Sequence, residues 1–134
     1  MYNHILIPVA PGHYEEYTNA LTVTRKLSNT GAKVSILSVV EDVPIYVETY
    51  LPNDQVEQAK VEIANELKAQ FAKDEVEIHV IDAHPANGIL DWATQNAVDC
   101  IVVTSHRPGI SDYFIGSTAA RVVRHAQCPV VVLR

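Results

Sequence analysis

The chain has 134 residues, the length of one ordinary domain that can bury a real core. Nearly half of them (48%) are apolar and only 19% are charged, which excludes a disordered chain, and apolar runs such as Ile101-Val102-Val103 are far too short to span a bilayer. A formal net charge of −6 argues against a general nucleic-acid binder.

The start, Met-Tyr-Asn-His-Ile-Leu-Ile-Pro, has neither the basic opening nor the long apolar stretch of a secretory signal, so the expected location is the cytoplasm, with no membrane partner. Cys100 and Cys128 are the only cysteines, and both sit beside apolar runs. Reduced, buried thiols are expected there, and no spacing of Cys or His supports a metal or redox site.

In chain order, Ile5-Leu6-Ile7 within 3–9 reads as a buried strand. Apolar residues recur near Tyr17, Leu21, Thr24 and Leu27, predicting a helix over 14–30 closed by Gly31. A second strand covers 33–40 and a loop 41–52. Asn53 or Asp54 then caps a long helix striped by Val56, Ile63, Leu67 and Phe71.

Over 75–81, Val76, Ile78 and Val80 alternate with Glu75, Glu77 and His79, the pattern of an edge strand. Pro85 opens a short helix carrying Ile89, Leu90, Trp92 and Ala93, with Trp92 expected in the core. The most hydrophobic strand, 99–104, should be central. A polar loop, a helix from Gly116-Ser117-Thr118 and a last strand, 129–133, complete the chain. His4, His79 and His84 have no metal-ligand spacing and are expected at the surface or as caps; His125 suits the negative end of its helix.

The β-α-β-α-β-α-β-α-β order predicts one α/β domain over 1–134: a doubly wound, five-stranded parallel sheet with four helices. Such sheets bind ligands beyond the carboxyl ends of the strands, where strand order reverses, and strand 1 flanks that reversal in both common orders. The loop after strand 1, from Ala10, is one wall. If the order is 3-2-1-4-5, the loop from Thr104 onward is the other. Charge favours the same place: from Ser105 to Arg134 the only acid, Asp112, stands against Arg107, Arg121, Arg124 and Arg134, so this part carries +3 and the remainder −9. Gly116-Ser117-Thr118 opens a helix there. Free N–H groups and the helix dipole make such a start an anion site, although the same triplet is also an ordinary helix cap.

The segment Thr104-Ser105-His106-Arg107-Pro108-Gly109 through Gly116-Ser117, followed by Val122-Val123-Arg124-His125-Ala126-Gln127-Cys128-Pro129-Val130-Val131-Val132, closely resembles the C-terminal signature of the universal stress protein family. Ile5-Leu6-Ile7-Pro8-Val9 and Pro85-Ala86 with Ile89 and Ala93 add to the match, and Ser-His-Arg-Pro looks like the F/G-type branch. The resemblance implies the 3-2-1-4-5 sheet of the adenine nucleotide alpha hydrolase-like fold. It also implies a homodimer paired through strand 130–134, and a regulatory role in stress survival. Many members bind ATP.

Carried over residue by residue, the third glycine and the hydroxyl of the family's Gly-x2-Gly-x9-Gly-Ser/Thr motif fall on Gly116 and Ser117, with Thr118 beside them. The first glycine falls on Thr104, and the second near His106 or Arg107 in a loop one residue shorter than usual. Ser105, His106, Arg107 and Gly109 then line the phosphate side. Pro8, Val9, Ala10 and Val39 line the adenosine side. The family's usual Asp is replaced by Ala10, so base or ribose recognition there must rest on backbone. The expected ligand is ATP, or AMP or ADP, with Mg2+ as a companion of ATP. The alternative is a nucleotide-free interaction module, with Ala10 the mark of a lost site. Turnover is not expected, because Asp112 is the only acid in the last thirty residues and no Walker-type lysine motif exists; slow hydrolysis or self-modification at Ser117 or Ser105 is a third reading.

Overall fold

The computed structural model describes residues 1–12, 17–41, 54–105 and 116–134. The elements run β1 (Tyr2–Pro8), α1 (Thr18–Leu27), β2 (Ser28–Glu41), α2 (Asp54–Gln70), β3 (Glu77–Ala83), α3 (Pro85–Gln95), β4 (Cys100–Thr104), α4 (Ser117–His125) and β5 (Val130–Leu133). Every strand pair is parallel, and the order is β3-β2-β1-β4-β5. The expected doubly wound sheet is therefore present, with β4 inside and β3 at an edge.

Alternation along β1 explains why both faces must be covered. Ile5, Ile7 and Val9 join Tyr17, Ala20 and Leu21 near α1 and Leu67 and Phe71 near α2 on one face. Leu6 joins Ile89 and Ala93 of α3 and Ala119 and Val122 of α4 on the other. Ile5, Leu6, Ile7, Ile101 and Val102 are wholly buried, and each such side chain stabilises the fold by roughly 1.5–3 kcal/mol.

Several expectations are corrected. The first helix stops at Leu27 rather than running to Thr30, because Ser28 is already extended (φ −79°, ψ 135°) and its Oγ donates back to the Thr24 carbonyl at 2.7 Å. Beyond it, Asn29 accepts the Met1 amino group at 2.6 Å and donates to Asn3 Oδ1 at 2.7 Å. Gly31, at φ +77°, does not close the helix. It lies where the β1–β2 register jumps from Tyr2↔Ser28 to His4↔Lys33, and only glycine takes that conformation without strain.

The third strand lies two residues later than its alternation suggests. The Val76 N–H is spent on the Asp74 carbonyl at 3.0 Å, and pairing with the long β2 carries β3 on to Glu41↔Ala83. Trp92 is half-buried rather than in the core. Its indole stands between two imidazoles, His79 at 4.9 Å and His4 at 6.0 Å between ring centroids.

His4 is also more than a surface group: its Nδ1 donates to the Asn96 carbonyl at 2.9 Å, and its Nε2 meets the Ser35 hydroxyl at 2.8 Å. His84 caps α3, with Nδ1 accepting the Asn87 N–H at 3.4 Å. Both thiols are free, Cys100 buried and Cys128 half-buried. The loops expected at 41–52 and 105–115 lie almost wholly outside the described residues.

Candidate functional site

β1 has β2 on one side and β4 on the other, and the chain reaches those neighbours by crossovers on opposite faces. The reversal of strand order thus falls between β1 and β4, beside the carboxyl end of β1.

On the β1 wall, Pro8 is half-buried, Val9 is buried and Ala10 is exposed. The Val9 N–H donates to the Leu37 carbonyl at 2.8 Å, holding this end against β2. The Ala10 N–H donates to the Tyr17 hydroxyl at 2.9 Å. Tyr17 is only 3% exposed, so this is a phenol inside the core with its oxygen aimed at the end of β1. Gly12 follows with φ +86°, which turns the chain away from the strand.

Val39, half-buried at the end of β2, packs on the α3 face of the sheet. Gly88 of α3 makes that approach possible. A Cβ there would lie 2.8 Å from Ala83 Cβ and 3.4 Å from both Ile81 Cδ1 and Val39 Cγ1.

Thr104 ends β4 and pairs with Leu133. The Ser105 N–H and Oγ both donate to the Leu133 carbonyl of β5, at 2.8 and 3.2 Å. Gly116 is the N-cap of α4 (φ −56°, ψ 152°); among the described residues no side chain caps this end, and the Gly116 carbonyl accepts the Ala120 N–H at 2.8 Å. The N–H groups of Ser117, Thr118 and Ala119 precede the first intrahelical bond and point out of the helix end. Ser117 is exposed, and Gly116 and Thr118 are half-buried. The remaining expected site residues, His106, Arg107 and Gly109, lie outside the described residues.

A helix end beginning on glycine suits an anion, and among the described residues of the β1 wall none offers a charged partner to a base or sugar. Tyr17 escaped the sequence reading because helical spacing marks it only as an apolar position. A phenol nine residues beyond a strand end is at most a faint signal of such a contact.

An open parallel sheet ordered 3-2-1-4-5 defines a doubly wound α/β protein, and the switch point of its sheet lies between β1 and β4. The universal stress protein family model matches residues 1–134, and the chain belongs to that family. It is 37% identical over 62 residues to universal stress protein MJ0531 of Methanocaldococcus jannaschii, covering 44% of this chain and 36% of that protein. It is 36% identical over 56 residues to universal stress protein G of Shigella flexneri, covering 42% of this chain and 39% of that one. These matches span little more than a third of each relative's length.

Among solved structures, the universal stress protein UspA from Lactobacillus plantarum has a TM-score of 0.71 at 24% identity, covering 99% of this chain and 98% of that one. A universal stress protein in complex with cAMP has a TM-score of 0.70 at 14% identity, with 99% and 97% covered. The Archaeoglobus fulgidus protein in complex with dAMP has a TM-score of 0.64 at 18% identity, with 99% and 98% covered. At these identities the likeness establishes the fold.

Proposed function

We propose that this chain is a stress-response regulator that binds an adenine nucleotide, ATP or its mono- or diphosphate, at the end of β1, and that it acts by binding rather than by turnover. The observation carrying this reading is the start of α4. Three backbone N–H groups and the positive end of the helix dipole meet at Gly116, where no side chain of the described residues caps them. Family relatives of the same fold hold cAMP and dAMP, which supports an adenine nucleotide over other phosphate esters.

The residues fit the ligand unequally. Gly116, Ser117 and Thr118 would take phosphate, and His106, Arg107 and Gly109 would join them from the preceding loop. Pro8, Val9, Ala10 and Val39 would face the nucleoside with backbone and apolar surface only. Mg2+ would travel with the phosphates of ATP. Working in the cytoplasm, two copies would pair through 130–134, where the four apolar residues of β5 form an edge strand that a second chain would cover.

The exposed methyl of Ala10 favours a second reading, an interaction module that has lost its nucleotide. Isothermal titration with ATP, AMP and GTP separates the two, with Ala10→Asp alongside. Saturable binding of the adenine nucleotides by the native chain supports the first reading. Binding that appears only in Ala10→Asp supports the second, since one restored hydrogen bond is worth about 1–3 kcal/mol, or roughly 5- to 150-fold. Light scattering tests the dimer: a mass twice 14.8 kDa is expected.

A further inference from the structure

We propose that Tyr17 is a positioning residue of this site: by holding the Ala10 N–H it fixes the peptide between Val9 and Ala10, so that the Val9 carbonyl is presented to a ligand as the hydrogen-bond acceptor of the β1 wall. The proposal rests on the nucleotide reading above and names how the nucleoside part would be held.

The argument begins with what residue 10 can offer. Its side chain is a methyl group, so any polar contact from it must come from backbone. Its N–H is taken by the Tyr17 hydroxyl at 2.9 Å. The wall therefore has no free donor at residue 10, and a ligand is met by carbonyl oxygen.

Peptide planarity then sets the direction. This bond is trans, so the Val9 carbonyl and the Ala10 N–H point opposite ways. The N–H points inward, at a phenol that is 3% exposed and packed with Ile5, Ile7 and Val9. The carbonyl accordingly points away from that phenol. The Val9 N–H, bonded to the Leu37 carbonyl at 2.8 Å, anchors the other side of the residue to β2. Held at both ends, Val9 cannot swivel its carbonyl without breaking a bond. A fixed acceptor selects groups that donate, which in a nucleotide are the ribose hydroxyls and the exocyclic amine. It does nothing for phosphate, whose oxygens only accept.

Tyr17→Phe tests this, because it removes the hydroxyl while keeping the ring that fills the core. Affinity is measured for AMP, which carries donors, and for inorganic tripolyphosphate, which carries none of the nucleoside. Amide hydrogen exchange at Ala10 and the Val9 carbonyl carbon shift of the native protein are recorded in parallel. The expected result is loss of Ala10 protection in Tyr17→Phe, AMP binding weakened roughly 2- to 12-fold and tripolyphosphate binding unchanged. In the native protein the Val9 carbonyl carbon moves with AMP and stays still with tripolyphosphate.

Equal weakening of both ligands, no weakening of either, or a Val9 carbon indifferent to AMP overturns the role of Tyr17 while leaving nucleotide binding intact. Native protein that binds neither ligand overturns the nucleotide reading and this proposal with it.

Discussion

Asp99 and His4 are joined in both directions across the sheet. The Asp99 carboxylate accepts the His4 N–H at 2.9 Å, and the Asp99 N–H donates to the His4 carbonyl at 3.0 Å. The other carboxylate oxygen accepts the Asn3 N–H at 2.8 Å. One side chain just ahead of β4 thus ties down two consecutive amides of β1, beside the register irregularity where β1 is least regularly paired with β2.

Replacing Asp99 with Asn leaves a single acceptor oxygen for two donors and turns an NH2 group toward one of them. Bonds to a carboxylate count for more than neutral ones, so the loss is expected to be about 1–3 kcal/mol. Urea unfolding of Asp99→Asn checks this, with a midpoint clearly below that of the native chain and an unchanged slope.

Gly88→Ala weighs two opposed effects. Alanine in place of glycine within a helix gains about 0.8–1 kcal/mol. Here the new Cβ would lie 2.8 Å from Ala83 Cβ, a side chain with no freedom to move aside. Overpacking of this kind costs about 1–3 kcal/mol, so the clash wins. The expected outcome is net destabilisation, read as a lower Tm; a rise in Tm would mean that α3 can lift off β3 at little cost.

Burial pushes the Cys100 thiol up to about 11, with smaller contributions from Cys128 and Asp99. Burial and Asp99 also raise Cys128, which is half-exposed. An unfolded Cys100 would lose its proton near the usual 9.0, whereas the folded one keeps it to about 11. Between those values the unfolded state binds fewer protons, so stability falls as pH rises through that window, by roughly 2–3 kcal/mol for this one thiol. Comparing the native chain with Cys100→Ala from pH 8 to 11 isolates the contribution, because the alanine variant lacks that fall. Since thiolate is the reactive form, an alkylating reagent at neutral pH should modify Cys128 and spare Cys100 until the chain unfolds.

The alternation of strands and helices was legible because it depends on short-range pattern: Ile5-Leu6-Ile7 and Ile101-Val102-Val103 are apolar on both faces, as strands covered on both sides must be. Gly116 was legible for a similar reason, since a helix start is a local event. What could not be read were contacts between distant elements. Trp92 looks like a core residue on its own helix, and only the assembled sheet brings His4 of β1 and His79 of β3 against it. Asp99 looks like the first residue of a strand until β1 lies beside it. Ser105 carries the polarity of a ligand contact, and only the assembled sheet shows its hydroxyl donating to the Leu133 carbonyl of β5.

The central claim, an adenine nucleotide with its phosphates at Gly116, is tested most directly by thermal melting of the purified chain against MgATP, AMP and GTP, with Gly116→Glu as control. The backbone at Gly116 (φ −56°, ψ 152°) is open to any L-residue, so glutamate adds bulk and negative charge without backbone strain. Ligand at about 100 times its Kd adds roughly 2.7 kcal/mol, a rise of several degrees for a domain of this size. A rise with the adenine nucleotides, absent in Gly116→Glu, is the predicted result. A flat response at millimolar nucleotide, after any bound nucleotide has been stripped away, would contradict it.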